Sequence, residues 1–256
     1  TNARYPLGYR HSSIAGHQVL LVKEEGGEMI KVSDYPDSLR LKSETVDVEL
    51  MADGTAVCKG QRRLVLNNVE PYIGFRSLDA KAQFRAIMSG NSFNPTDFSI
   101  LSVEDNFNDW TSMEPDEEYI PELRICYSYT VKDYAKAAGD RIFMDMNPFA
   151  KKLYSDRSPR INDMVINSET TLSDTVRINL PAGYIPESLP ASGIVESQFG
   201  CLATEVTQSE DQSVVTIVQT FRFYPGRFPK EVYADYRTFA RSVSRIYDAK
   251  IVLVRK

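Results

Sequence analysis

The stretch Leu123-Arg124-Ile125-Cys126-Tyr127-Ser128-Tyr129-Thr130-Val131 alternates large apolar residues with small or polar ones over nine positions. A period of two sends successive side chains to opposite faces of an extended strand, so one face packs on a core and the other meets water. One-sided burial of this kind belongs to antiparallel sheets. The same phase recurs along the chain. Val46, Val48 and Leu50 alternate with Asp47 and Glu49, and Ile142, Met144 and Met146 repeat the spacing. So do Val176, Ile178 and Leu180, while Val215, Ile217, Phe221 and Phe223 share one face of another long strand. Turn signals separate these runs. Asp53-Gly54 closes the first, and Glu25-Gly26-Gly27-Glu28 predicts a hairpin between 19–22 and 29–32. Ser209-Glu210-Asp211-Gln212 is expected to join strands at 194–206 and 213–223. Eight or more strands with such turns predict a mainly β, α+β chain built as an antiparallel β-sandwich-like fold.

Two segments break the period. Residues 76–89 read as a helix, with Ser77 as the expected N-cap and Gly90 just beyond the end. Residues 229–247 read as a second helix, with Pro229 suited to the first helical position. There Val232, Tyr233, Tyr236, Phe239, Ala240, Val243, Ile246 and Tyr247 fall at three- and four-residue steps, an apolar stripe expected to pack on the sheet. The apolar run Ile251–Val254 is expected to return to a sheet after it.

The chain has 256 residues, with 30 Lys and Arg against 35 Asp and Glu, a formal charge of −5. A length near 250 residues accommodates one large or two smaller domains, one being the simpler reading, and a core that needs no staple. The 42% hydrophobic and 25% charged content is that of a globular protein, not of a disordered one. The acidic balance argues against nucleic acid and anionic membranes, which select for basic excess. No apolar run reaches the roughly 20 residues of a membrane-spanning helix. The opening Thr1-Asn2-Ala3, with no initiator Met and no signal peptide, is expected of a processed fragment.

Cys58, Cys126 and Cys201 are far apart and odd in number, so they cannot form a fully paired disulfide framework, and no Cys/His cluster suggests zinc. Cys126 lies within a strand, and all three are read as small buried hydrophobes, not nucleophiles. His11 and His17 lack a third ligand at suitable spacing and are read as hydrogen-bonded or exposed side chains. The acidic loop 104–118 invites a calcium reading, but Asp105-Asn106-Phe107-Asn108-Asp109 has Phe107 where an EF-hand needs an oxygen ligand, and no glycine follows. Trp110 beside these acids could stack on a sugar ring, and is more simply a packing residue. Paired carboxylates for glycoside hydrolysis cannot be nominated among so many acids. The chain has no GxGxxG, no P-loop and no GxSxG elbow. No catalytic, cofactor-binding or metal-binding residue is therefore assigned, and no cofactor is expected.

Several weak motifs in a fixed order resemble a known family. Thr1-Asn2, then Tyr5-Pro6-Leu7-Gly8, resembles the segment after the catalytic aspartate of bacterial transglutaminase-like proteins. That segment reads P-x-G-x-x-P; Pro6 and Gly8 match, while Arg10 and His11 stand near where the second proline is expected. The hairpin within 16–32, the Asp53-Gly54 turn and the helix near 76–89 follow in the family's order. Arg157-Ser158-Pro159-Arg160 loosely matches an R-x-x-P loop. Leu180-Pro181-Ala182-Gly183-Tyr184 with Leu189-Pro190 closely resembles an lPxGY…lP motif. Pro229, Tyr233, Arg237, Phe239 and Val243 fit the pattern before the terminal strand.

This order is similar to the C-terminal β-rich domain of unknown function in exported Bacteroidetes proteins that carry a transglutaminase-like, cysteine-peptidase-fold core. The resemblance implies that residues 1–33 are the C-terminal tail of that core and that 34–256 form a β-sandwich-like domain. It implies a catalytic Cys, His and Asp lying upstream of Thr1, so that His11 and His17 are not the triad histidine and this chain is not itself the enzyme. It also implies a periplasmic, cell-surface or secreted location. The expected role is accessory: positioning the catalytic core, or binding a polypeptide or surface partner. A carbohydrate-binding or adhesion module is the alternative, and an autonomous hydrolase using two carboxylates is a third.

Overall fold

The computed structural model describes residues 5, 8–89, 94–107, 118–147, 153, 159–167 and 170–256. Thr1, Asn2, Pro6, Gly90, Asn108, Asp109, Trp110, Arg157 and Ser158, each given a reading above, lie outside the described residues. The chain opens with a hairpin of β1 (Gln18–Lys23) and β2 (Gly26–Lys31). Lys23 pairs with Gly26, so the turn falls at Glu24-Glu25, one residue earlier than expected, and Gly26 takes the positive φ of 138° that follows it.

The larger elements are β3 (Leu41–Leu50), β4 (Ala56–Val65), α1 (Ala80–Met88), β5 (Thr96–Asp105), β6 (Glu122–Val131), β7 (Ala135–Ala138) and β8 (Arg141–Asp145). They continue with β9 (Met164–Ile166), β10 (Thr170–Asn179), β11 (Tyr184–Ser188), β12 (Gly193–Ser197), β13 (Gly200–Gln208) and β14 (Val214–Phe223). The last are β15 (Gly226–Phe228), α2 (Tyr233–Tyr247) and β16 (Lys250–Arg255).

An eight-stranded sheet has the order β12-β13-β14-β10-β3-β4-β6-β5, and a four-stranded sheet the order β11-β16-β8-β7. Neighbours are antiparallel except β10 and β3, which run parallel with Asp174 level with Glu44. The inward residues read from the sequence are where their phase puts them. Val46, Val48, Ile125, Tyr127, Val176, Ile178 and Ile217 of the large sheet share one apolar cluster with Ile142, Met144, Ile251 and Leu253 of the small one. The mainly β sandwich-like architecture follows from that period of two, and β16 returns to the small sheet as the terminal apolar run predicts. A second cluster, built on Phe199, Leu202, Phe221, Phe239 and Val243, lies under α2.

Three boundaries differ from expectation. α1 is capped by Asp79, whose carboxylate accepts from the Ala82 amide at 2.8 Å, while the Ser77 hydroxyl donates to Gly74 O in the preceding 3₁₀ turn. Pro229 precedes a short 3₁₀ turn, and α2 begins only at Tyr233. The expected strand 194–206 is two strands, broken at Gln198-Phe199. The break points Phe199 into the second cluster, where its ring lies 4.9 Å from Phe228 and 5.4 Å from Tyr236.

Gly60 of β4 pairs with Tyr127 of β6, and the tyrosine ring lies across the glycine: a Cβ there would come within 2.3 Å of ring atoms. Tyr127 cannot easily give way, being 1% exposed with its hydroxyl bonded to Glu44. Gly60→Ala is expected to destabilise the fold by about 1–2 kcal/mol through overpacking. An unchanged urea midpoint would show that the ring moves freely.

Candidate functional site

A polar row crosses the inner face of the large sheet between the two apolar clusters. Strand pairing sets Thr204, Gln219, Asp174, Glu44 and Arg62 side by side on β13, β14, β10, β3 and β4. Directly paired residues on one face have Cβ atoms about 5 Å apart, so each side chain meets the next. Gln219 Nε2 donates to Thr204 Oγ1 at 3.3 Å. Asn147, just after β8, donates through Nδ2 to Gln219 Oε1 at 2.8 Å and to Asp174 Oδ2 at 3.2 Å.

Arg62 and Glu44 form the buried end of the row. Arg62 Nε donates to Glu44 Oε2 at 2.6 Å, and the Tyr127 hydroxyl donates to the other carboxylate oxygen. The guanidinium also donates to Tyr72 OH at 2.8 Å and to the carbonyls of Ala86 and Ile87 at 3.3 and 3.0 Å. Those carbonyls belong to the last turn of α1, which has no intrahelical donors for them. One arginine thus neutralises a buried acid and ties a helix end to the sheet. Burial alone would pull its pKa down; Glu44 outweighs this, and the guanidinium stays charged.

Asp174 is held differently. It is half-buried and opens to a cleft of about 830 Å³. Burial pushes its carboxyl up to about 6, and the negative charge of Glu44 adds to this, against Asn147, Lys42 and Arg62. The cleft is lined by Tyr72, by Tyr233, Tyr236 and Tyr247 from α2, and by the cationic Lys42, Arg62 and Arg160. Tyr233 and Tyr236 are stacked with centroids 5.8 Å apart, and the Arg160 guanidinium lies 5.1 Å over the Tyr233 ring.

None of the described cysteines, histidines or acidic-loop residues weighed as site candidates from sequence lines this cleft, whereas Tyr233, Tyr236 and Tyr247 of the predicted helical stripe do. Cys58 is in the core, where burial pushes its thiol up to about 12, far from the reactive range. Cys126 and Cys201 are free and half-buried. His11 and Glu70 are 3.2 Å apart, and the same carboxylate accepts from Tyr9 and Ser12, which fastens residues 9–12 to the body of the chain. Of the acidic loop, Asp105 pairs with Arg76 and Glu118 with Arg10. Among the described residues no three His, Cys, Asp or Glu side chains gather to hold a metal ion. Sequence reading missed the polar row, although the signal was present: Glu44, Asp174 and Gln219 occupy the inward phase of otherwise apolar strands.

A second surface lies at the β1–β2 hairpin. Leu20, Val22 and Met29 share one face and are 60%, 78% and 61% exposed. Two strands alone are marginal in water, and these three side chains leave an apolar strip exposed on one face. No helix among the described residues is long and apolar enough to cross a membrane.

No curated protein matches the chain. A crystal structure named as a putative protease from Parabacteroides distasonis ATCC 8503 is 14% identical over 73% of this chain, with a TM-score of 0.30. The aligned part spans 36% of that protein, about a third of its length. Residues 140–253 match the family described as a Domain of Unknown Function with solved structure (DUF3858), a span that carries Asn147, Asp174, Gln219 and α2 and leaves Glu44 and Arg62 outside.

Proposed function

We propose that this chain is a non-catalytic accessory region of an exported transglutaminase-like protein, docked to the catalytic core through the β1–β2 hairpin. The observation that carries the reading is the exposed apolar face of Leu20, Val22 and Met29 on a sheet that has two strands among the described residues. A third strand or a helix from a preceding core would cover that face and supply what two strands lack. The anchoring of Tyr9, His11 and Ser12 on Glu70 holds the hairpin's approach against the body of the chain. The motif order described above supports the assignment of the partner.

The test is association between this chain and the polypeptide encoded immediately upstream of Thr1. Tight binding is expected, with Val22→Glu plus Met29→Glu weakening it by about tenfold or more, since two charges would be buried at an apolar contact. The purified chain alone is expected to turn over no amide or ester substrate. Absence of a Cys–His–Asp core upstream, or turnover by the chain itself, would overturn the reading.

A further inference from the structure

We propose that the cleft on the inner face of the large sheet binds a polypeptide's cationic side chain, a lysine ammonium or arginine guanidinium, seated on Asp174 among Tyr72 and the tyrosines of α2. This site is separate from the hairpin, and its assignment does not depend on what the hairpin docks.

The argument starts from how the buried charges are matched. Glu44 is answered by Arg62 and by the Tyr127 hydroxyl, and Arg62 by Glu44, Tyr72 and two carbonyls. That pair is closed on itself. Asp174 has the neutral amide of Asn147 on one oxygen, and its carboxyl faces the cleft. A carboxylate in such a place is stabilised further by an incoming cation, because Lys42 and Arg62 offset its burial and the charge of Glu44 only in part.

The walls suit the same guest. Tyrosine faces attract ammonium and guanidinium groups through the ring quadrupole, and the cleft's tyrosines already carry two guanidiniums, that of Arg160 over Tyr233 and that of Arg62 5.9 Å over Tyr72. Leu172 and Phe221 offer apolar surface to the methylene stem behind the charge. At about 830 Å³ the cleft exceeds the needs of one side chain and can take the adjoining backbone, within the range of ligand-binding clefts.

Binding should follow the ionisation of Asp174. The groups facing it are Lys42 and Glu44 from β3, Arg62 from β4, Gln219 from β14, Asn147 after β8, and Tyr247 from α2. A carboxyl titrating near 6 is charged at pH 7.5 and neutral at pH 5, so cation affinity falls as pH is lowered.

The experiment is calorimetric titration of the full chain with four capped amino acids: the Nα-acetyl N-methylamides of lysine, arginine, norleucine and glutamate. At pH 7.5 the lysine or arginine probe is expected to bind about tenfold or more tighter than norleucine, the difference expected of a charge-assisted contact. The two cationic arms distinguish ammonium from guanidinium. Asp174→Asn should bring the cationic probes to the norleucine level, and lowering the pH from 7.5 to 5 should do the same for the wild type. Equal binding of norleucine would reduce the cleft to an apolar pocket, and tighter binding of glutamate would make it an anion site on Lys42 and Arg160. Either result overturns the proposal, as does binding that is indifferent to pH. The wild-type pH series decides the matter even if the variant does not fold.

Discussion

Arg62→Ala is expected to cost about 3–5 kcal/mol of unfolding free energy. Removing the guanidinium leaves Glu44, itself 5% exposed, as an unanswered buried charge beside Asp174. It also strips the carbonyls of Ala86 and Ile87 of their donor, so α1 loses its tie to the sheet. The loss should be read in two ways. Urea denaturation should show a lower midpoint, and hydrogen exchange should show faster opening of residues 80–88 than of β3 and β4. Replacing the pair together, as Glu44→Leu with Arg62→Met, is expected to recover much of the loss, because the penalty lies in an unpaired charge and not in the absence of a bridge. A loss below about 1 kcal/mol for the single variant would mean that water or a neighbouring side chain answers Glu44.

Asp174→Asn is expected to stabilise the protein at pH 8, by about 2–3 kcal/mol. The sign follows from the carboxyl's being held at about 6 in the fold, against an ordinary 3.8. Between those values the folded state binds more protons than the unfolded state, so stability falls as pH rises through this window. Below about pH 4 both states are protonated and the penalty vanishes. Above about pH 6 both are ionised and it is fully present. The amide mimics the protonated acid and can still accept from Asn147, so the variant escapes the penalty at high pH and differs little from wild type in acid. Thermal or urea unfolding at pH 4, 6 and 8 would check this. A variant destabilised equally at all three values would mark Asp174 as a structural acceptor only. A side chain whose removal stabilises the fold while abolishing binding is what a functional site leaves behind, since an ion held ready for a ligand is not well satisfied in its absence.

The polar row shows where sequence reading stops. Val46, Val48 and Leu50 declare an inward phase, and Glu44 sits two residues earlier in that same phase; Asp174 does so before Val176 and Ile178. The phase alone says that these acids face inward. It does not say that they face each other, nor that Arg62 answers one and leaves the second to the cleft. The short pair β9–β15 was equally out of reach, because three residues are too few for a periodic signal. The split between β12 and β13 was hidden because Phe199 keeps an apolar character in what reads as a continuous strand. Its turn is set by the aromatic cluster under α2, not by a local turn residue. The N-cap of α1 was misplaced by two residues since Ser77 and Asp79 are both good caps, and the Gly74 carbonyl had already engaged the serine.

By itself the sequence determined the class of this protein: strands with one apolar face, two helices of which α2 carries an apolar stripe, and a core large enough to need no staple. Those properties are local, because alternation and helical spacing are written in residues a few positions apart. Only the tertiary structure decided the order of strands, above all the parallel pairing of β3 with β10 across β4 to β9 of intervening chain. That pairing sets Asp174 beside Glu44 and opens the cleft under α2. Which residues become lateral neighbours depends on the register between strands distant in the chain, and a shift of one residue in either strand would turn that strand's acid out to solvent and part it from the other.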